Sequence, residues 1–437
     1  MEWWLVLLLI VVGLAFLFIL GVPIGFAFLS INIIGVVLLW NGSSGLNQLT
    51  LNMFNSVAKF SLLPIPMFLL MGELMFRTGV GVKIFEAMAK WMGNIPGRLS
   101  LLTVGTGTLF AILTGSSAAS AALLGSLLVP DMQKKGYSPH MSIGPILGSA
   151  GLATMIPPTA LGVLLASLAA IPVGHFLIAI VIPGILLAVI FVVYIVIISM
   201  VRPEWAPSYD VEKYTLKEKL MDTFKYILPL GAILFLVLGV IILGVATPTQ
   251  SAVLGALGTI VLAIGYKSFS WKVLWESLMG TLNTTGMIFI IIIGSTTFGQ
   301  ILSYTGVTQS LVQIISSIDT QPIVILILIQ LILIILGCFM EPLSIMMITL
   351  PVLMPISQAL GFDPIWFCVI ILLNMQMATM TPPFGMDLFA IKGVVPSTIT
   401  MSQIYKAALP FVGLNIILMI LLIIFPSLSL WLPSFLN

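Results

Sequence analysis

Runs of apolar residues long enough to cross a bilayer follow one another along the whole chain, at residues 3–21, 22–40, 57–76, 140–166 and 176–200, and again at 226–245, 248–266, 279–303, 365–391 and 408–431. A helix needs about 20 such residues to cross about 30 Å of hydrocarbon. With 60% hydrophobic and 7% charged residues, the 437-residue chain lacks the charged surface of a soluble globule. The expected fold is an all-α polytopic membrane protein. The start, MEWWLVLLLIVVGLAFLFILG, has no basic n-region and no small-residue cleavage site, so it reads as a retained helix rather than a signal peptide. The net charge of +2 is spread over short loops and suggests no nucleic acid. Cys338 and Cys368 both fall in apolar segments, where they imply neither a disulfide nor a metal framework. The 24 methionines and 25 phenylalanines suit packing and lipid contact, with no organic cofactor implied.

Two of the apolar runs are interrupted in the same way. TMIPPTALG (154–162) and TMTPPFG (379–385) each place two consecutive prolines inside a membrane-length stretch. Proline lacks the amide hydrogen and its ring clashes with the preceding turn, so the helices should unwind there. Unwound backbone survives at membrane depth only if it is buried in protein or lines a wet cavity. Two other regions are too short per segment to span. Residues 99–113 and 120–130 flank GSSAAS, and 322–339 and 343–355 flank MEPLS; both are expected to be re-entrant hairpins, near 99–130 and 322–355.

These features recur at a fixed spacing. At an offset of 225 residues, Pro130, Gln133, Gly136 and Pro139 match Pro355, Gln358, Gly361 and Pro364, and Ala153-Thr154-Met155 with Pro157 and Pro158 match Ala378-Thr379-Met380 with Pro382 and Pro383. At an offset of 227, Gly72 and Thr78-Gly79-Val80 match Gly299 and Thr305-Gly306-Val307. Duplication accounts for this: a first repeat at 1–201, a linker at 202–225 containing a short surface helix, and a second repeat at 226–437. Loop charges then orient the halves. Arg77, Lys83, Lys90, Arg98, Lys134 and Lys135 surround first-half turns whose second-half counterparts lack Lys and Arg, whereas Lys267, Lys272, Lys392 and Lys406 show the converse. Lysine and arginine concentrate in cytoplasmic loops. The repeats are therefore expected to be inverted, each with about five transmembrane helices and one hairpin, with both termini periplasmic and the linker cytoplasmic. Lys59 alone runs against this pattern, with snorkelling to the interface as its expected excuse.

Inverted repeats with paired hairpins and paired broken helices are the architecture of secondary transporters, which bind substrate and ions at mid-membrane. Freed carbonyls at Pro157 and Pro382 suit a cation, and half-helix N-termini suit an anion. Ser116, Ser117 and Ser120 put small oxygen ligands at the first hairpin tip beside Gly115. Glu341 at the second tip is a carboxylate whose insertion costs on the order of 2.5–3.5 kcal/mol, so it should face a cavity or a cation. Asp387 comes next, with Thr154, Thr379 and Asn374 as neutral oxygen donors. Glu73 and Arg77, one turn apart, read as a local ion pair rather than a substrate contact, His140 and His175 as solvent-edge residues, and KIFEAMAKW (83–91) as an interfacial amphipathic helix.

GSSAAS, MEPLSIMMITLPVLMP, ATPTQSAVLGALG and TMTPPFGMDLF, in that order, resemble the large membrane subunit, of DctM type, of tripartite ATP-independent periplasmic (TRAP) transporters over essentially the whole chain. The resemblance implies a sodium-driven importer in a bacterial inner membrane, working by an elevator mechanism. It implies two protein partners, a small four-helix membrane subunit and a periplasmic binding protein that delivers a small carboxylate. It also implies an acidic residue at the position of Glu341. On that footing sodium falls to Gly115, Ser117, Ser120, Glu341, Ser344, Asn374 and Thr379, and the substrate to Ser116, Ser117, Thr154, Pro157, Thr379, Pro382 and Asp387. Where the family pattern TPPxGxNLF has Asn, this chain has Asp387, so substrate preference is not carried over. A stand-alone sodium/dicarboxylate or ion exchanger of related architecture is the alternative, distinguished by the absence of neighbouring genes for the two partners. An intramembrane enzyme is the remote one: a nucleophilic serine needs a base, neither histidine lies in the membrane core, and no HExxH or GxGD motif occurs. An enzyme is not expected, and no P-loop motif is present for ATP.

Overall fold

The computed structural model describes residues 2–39, 43–114, 117–209 and 214–436. Among them every regular element is helical. The first half contains α1 (Trp3–Ile19), α2 (Ile24–Leu39), α3 (Ser43–Val57), α4 (Pro64–Arg77), α5 (Val80–Trp91), α6 (Arg98–Thr114), α7 (Ser117–Lys134), α8 (Pro139–Met155), α9 (Ala160–Leu168), α10 (Val173–Ala179) and α11 (Val181–Val201). In the second half, α12 (Leu216–Asp222), α13 (Leu228–Leu234) and α14 (Val240–Ile242) join through two π-helical stretches into one 27-residue apolar helix. They are followed by α15 (Pro248–Gly265), α16 (Trp271–Tyr304), α17 (Val307–Ser317), α18 (Pro322–Gly337), α19 (Pro342–Ala359), α20 (Pro364–Met380), α21 (Met386–Lys392), α22 (Met401–Ile424) and α23 (Ser427–Leu430).

Seven helices among the described residues are long and apolar enough to span a membrane, or eight when the α8/α9 pair, bent by 45°, counts as one. The chain is a multi-pass membrane protein. The apolar helices α1, α2, α18 and α20, at 16 or 17 residues, fall just short of that length. Helix pairs stand where the two hairpins are expected, α6/α7 and α18/α19; α18, at 16 residues, is shorter than its apolar run, whereas α7 and α19 are longer than theirs, and α19 is one of the seven span-length helices. Polar residues such as Asp131, Gln133 and Gln358 extend α7 and α19 beyond the hydrophobic stretch, to 18 residues each.

The order of elements repeats as well. α4, the turn at Gly79 and α5 recur as α16, the turn at Gly306 and α17; both glycines sit in the left-handed region, at φ 66° and 76°, where a Cβ would be strained. The hairpins follow, then α8, which stops at Met155, and α20, which stops at Met380. Both Pro-Pro bonds, Pro157-Pro158 and Pro382-Pro383, are cis. The helix restarts as α9 because the Thr159 side chain accepts from the Gly162 amide, a conventional N-cap. One asymmetry stands out: α16 runs unbroken for 34 residues, whereas its first-half counterpart is cut into α3 and α4 by Lys59–Leu63 and the prolines at 64 and 66.

α8 and α20 form the centre. Every residue of Met141–Met155 and of Trp366–Met380 is buried, as expected of helices apolar all round. α8 packs against α6, α7, α11, α20 and α22, and α16 against α2, α3, α4 and α19. The first broken segment, with Pro157, Pro158 and Thr159 buried, lies inside protein, which is one condition for unwinding at membrane depth, whereas in the second Pro383 and Phe384 are exposed. At the lysine-rich end, α5 is tied down by Lys90, whose amine lies 2.7 Å from Asp222; that hydrogen bond raises the lysine above its usual value.

Candidate functional site between the hairpin tips

A cavity of about 420 Å³ opens where the two halves meet. Its walls include Ser117 and Ala119 from the first hairpin, Glu341, Pro342 and Leu343 from the second, and Thr154, Thr159 and Thr379 from the two unwound regions. The facing wall is α4, with Gly72, Glu73 and Arg77, and the first half of α16, with Thr281, Thr284 and Ile288. Four residues expected from the sequence, Ser117, Thr154, Glu341 and Thr379, are brought to this one space from four separate elements.

Asp387 lies directly behind Ser117. The Ser117 hydroxyl donates to Asp387 Oδ1 at 2.9 Å, fastening the first hairpin tip to α21 across 270 positions of sequence. Asp387 is fully buried, and its Oδ2 has no hydrogen-bond partner among the described residues. The Thr379 hydroxyl stands within hydrogen-bonding reach of the same carboxylate and also lies 2.8 Å from Gln376 O, so its one proton has two competing acceptors. A buried carboxylate with no more than two neutral hydroxyls beside it among the described residues is poorly compensated unless a cation joins it. At Gly385 an added Cβ would stand 2.6 Å from Thr379 O and 2.9 Å from Thr381 O, and the Gly385 amide donates to Thr381 O at 3.1 Å, so the chain turns tightly over its own carbonyls. The hydroxyls of Ser117 and Thr379 with the Asp387 carboxylate are hard oxygens, chemically suited to an alkali cation.

The second hairpin is clamped to its broken helix. Cys338 Sγ donates to Pro382 O at 3.2 Å, and Tyr405 of α22 donates to Pro383 O at 2.8 Å. Gly337 packs so closely on α20 that a Cβ would lie 2.3 Å from the Ala378 Cβ. Glu341 is the N-cap residue of α19, without a side-chain cap bond, and partly buried. A helix N-terminus favours an anion there.

The remaining expected residues are placed differently. Gly115 and Ser116 lie outside the described residues. Ser120 is buried within α7 and Ser344 within α19, where it lines a neighbouring apolar cavity with Glu341. Asn374 faces α18, its Nδ2 donating to Gln330 O and Oε1 at 3.0 and 2.8 Å. Pro157 and Pro382 sit in the unwound segments without lining the cavity themselves.

Sequence reasoning missed Arg77 as a wall residue. It does pair locally, Nε to Glu73 Oε2 at 2.9 Å, but Nη1 also reaches Glu276 Oε2 on α16 at 3.0 Å. The available signal was Gly72, matched by Gly299, which marks this stretch of α4 as part of the duplicated wall. Thr281 and Thr284 carried no such signal.

The family described as "Tripartite ATP-independent periplasmic transporter, DctM component" matches residues 11–428. The chain is 30% identical over 402 residues, 92% of either sequence, to the C4-dicarboxylate TRAP transporter large permease protein of Pseudomonas aeruginosa. It is 28% identical over 418 residues, 95% of either sequence, to the sialic acid TRAP transporter large permease protein of Vibrio cholerae. Among solved structures the YdaH transporter of Alcanivorax borkumensis shares the fold, with a TM-score of 0.65 at 13% identity over 96% of this chain and 98% of that one.

Proposed function

This chain belongs to the DctM family of tripartite ATP-independent periplasmic transporters, and we propose that it imports a small organic acid in symport with sodium ions. The observation that carries this reading is the one cavity that both hairpin tips and both unwound helices wall together, with an Asp387 oxygen behind it that has no partner among the described residues. Sodium would be held by oxygens around Ser117, Thr379, Glu341 and Asp387, and the carboxylate substrate in the adjoining space lined by Thr154 and Thr159. In the elevator scheme the hairpins and broken helices move past the wall of α4 and α16 with the substrate between them. Inverted repeats, with both termini periplasmic and the linker cytoplasmic, fit the distribution of loop lysines and arginines in a bacterial inner membrane. A small membrane subunit and a periplasmic binding protein complete the assembly, and the binding protein delivers the acid.

The test is reconstitution of the three components in liposomes with a panel of labelled organic acids. Uptake is expected to follow an imposed inward sodium gradient without ATP. Uptake that persists after the sodium gradient is collapsed, with a proton gradient intact, refutes sodium coupling. Sodium-driven uptake by the large subunit alone refutes the tripartite assembly.

A further inference from the structure

A second polar cavity, of about 670 Å³, lies against the same wall farther along α16. It is lined by Gln48, Asn52, Asn55, Ser56 and Lys59 from α3 and the turn after it, by Ser295 to Ser303 of α16, and is closed by Leu168, Leu350 and Pro351. On α16 the cavity between the hairpin tips ends at Ile288 and this one begins at Ser295, so the two are separated by about 10 Å of helix.

The duplication relates the two cavities. At the offset of 227 residues that maps Gly72 onto Gly299, Glu73 maps onto Gln300 and Phe76 onto Ser303, so the α4 wall of the first cavity becomes the α16 wall of the second. By the same mapping the first half of α16, which carries Thr281 and Thr284, falls on α3. These walls of the two spaces are counterparts under exchange of the repeats, while the second space is lined by no residue of a hairpin tip or unwound segment among the described residues. In the inverted arrangement one belongs to each face of the membrane.

Their charges differ in kind. The first cavity has Glu73 and Glu341, and its one cation, Arg77, is held by Glu73 and Glu276. The second has no acidic residue among its described lining residues. Its sole charged group there is Lys59, exposed and in no ion pair among the described residues. Lys59 is also the one lysine on the side of the membrane where the chain otherwise keeps none. The amides around it are ordered rather than loose: Gln48 Nε2 donates to Asn52 Oδ1 at 3.3 Å and Asn52 Nδ2 to Gln300 Oε1 at 2.5 Å, which bridges α3 to α16.

We propose that the cavity beneath Lys59 is an anion-receiving vestibule, which takes the carboxylate of the incoming organic acid on the outer face before the acid reaches the space between the hairpin tips. This rests on the import of organic acids proposed above. An uncommitted ammonium among neutral amides favours capture of an anion on entry, whereas an arginine already held by two carboxylates favours release on the other side.

The experiment places a cysteine at Asn55 in the full-length chain, with Cys338 and Cys368 replaced by alanine, and compares its rate of labelling by an anionic methanethiosulfonate sulfonate and by a cationic trimethylammonium analogue. With Lys59 present the sulfonate is favoured. Lys59→Gln should lower the sulfonate-to-ammonium ratio by about threefold to tenfold, the effect of one partly hydrated charge, and Lys59→Arg should keep it. Succinate or sialic acid at millimolar concentration should slow sulfonate labelling in the lysine and arginine forms and not in the glutamine form. An unchanged ratio in Lys59→Gln, or no protection by either acid, overturns the proposal. Neither readout needs transport, so both are distinct from the loss of sodium-driven uptake that would defeat the proposed function.

Discussion

Asp387→Asn separates what the fold needs from what the ion site needs, because the two effects have opposite signs. The carboxylate is fully buried, accepts one hydrogen bond from Ser117 at 2.9 Å and leaves Oδ2 without a partner among the described residues. Asparagine has the same shape and still accepts from Ser117. Removing the charge relieves about 2.5–3.5 kcal/mol of insertion cost. Exchanging a charge-assisted hydrogen bond for a neutral one gives back about 1–1.5 kcal/mol. In sodium-free buffer the variant should therefore be more stable than the parent by about 1–2.5 kcal/mol, the difference of those two figures. Sodium reverses the order. An ion that binds only the folded parent stabilises it by about 1.4 kcal/mol at ten times its dissociation constant and about 2.7 kcal/mol at a hundred times. The Asn variant, lacking the charged ligand, should gain little. Thermal melting of the purified protein across a series of sodium concentrations, with choline at constant ionic strength, gives two curves that cross. Equal sodium-induced shifts in both proteins would exclude Asp387 as an ion ligand. A variant less stable than the parent without sodium would show that protein groups already satisfy the carboxylate.

Glu341→Gln should express normally and transport with a right-shifted sodium dependence, measured as uptake against external sodium; an unchanged dependence makes this acid structural and leaves the ion with Asp387. Gly337→Ala drives a Cβ to 2.3 Å from Ala378 and should cost about 1–3 kcal/mol of stability by overpacking, seen as a lower melting temperature. A melting temperature equal to the parent's would show that α18 can move off α20. Cysteines at the exposed Ser208 and Ser317 should be labelled from opposite sides of the membrane, cytoplasmic and periplasmic respectively; labelling of both from the cytoplasm refutes the inverted arrangement.

The elements legible in the sequence were those dictated by local chemistry. Two prolines have no way to continue α8 or α20, and short apolar halves around GSSAAS and MEPLS predict hairpins, so these features were found with boundaries close to those observed. The α3 helix was not, because SSGLNQLTLNMFNSV is too polar to register as an apolar run, although it occupies the position of half of α16. The match between that segment and α16 is hidden by the break after Val57, where Pro64 and Pro66 open a second helix. The site was legible in its parts and not in its pairing. Nothing local indicates that Ser117 meets Asp387, that Asn374 turns to Gln330, or that Arg77 crosses to Glu276; each bond depends on how distant helices pack.

The charge around the first cavity bears on why coupling to a cation would be obligatory. Glu73 and Glu341 line it, Asp387 stands one hydrogen bond behind Ser117, and Arg77 is already shared between Glu73 and Glu276. An organic anion entering alone would meet excess negative charge, with low-dielectric walls to amplify the repulsion. Under the proposed symport, sodium at Asp387 and Glu341 would remove that penalty, and the substrate carboxylate would in turn compensate the bound ions. Each ligand then raises the affinity for the other by the same factor, as any equilibrium coupling requires. The acid should bind the isolated large subunit weakly without sodium and more tightly as sodium rises. In Asp387→Asn that sodium dependence should flatten because the empty site is already less negative, so acid binding by the variant in sodium-free buffer should exceed that of the parent. Weaker sodium-free binding in the variant than in the parent would contradict the electrostatic account of coupling.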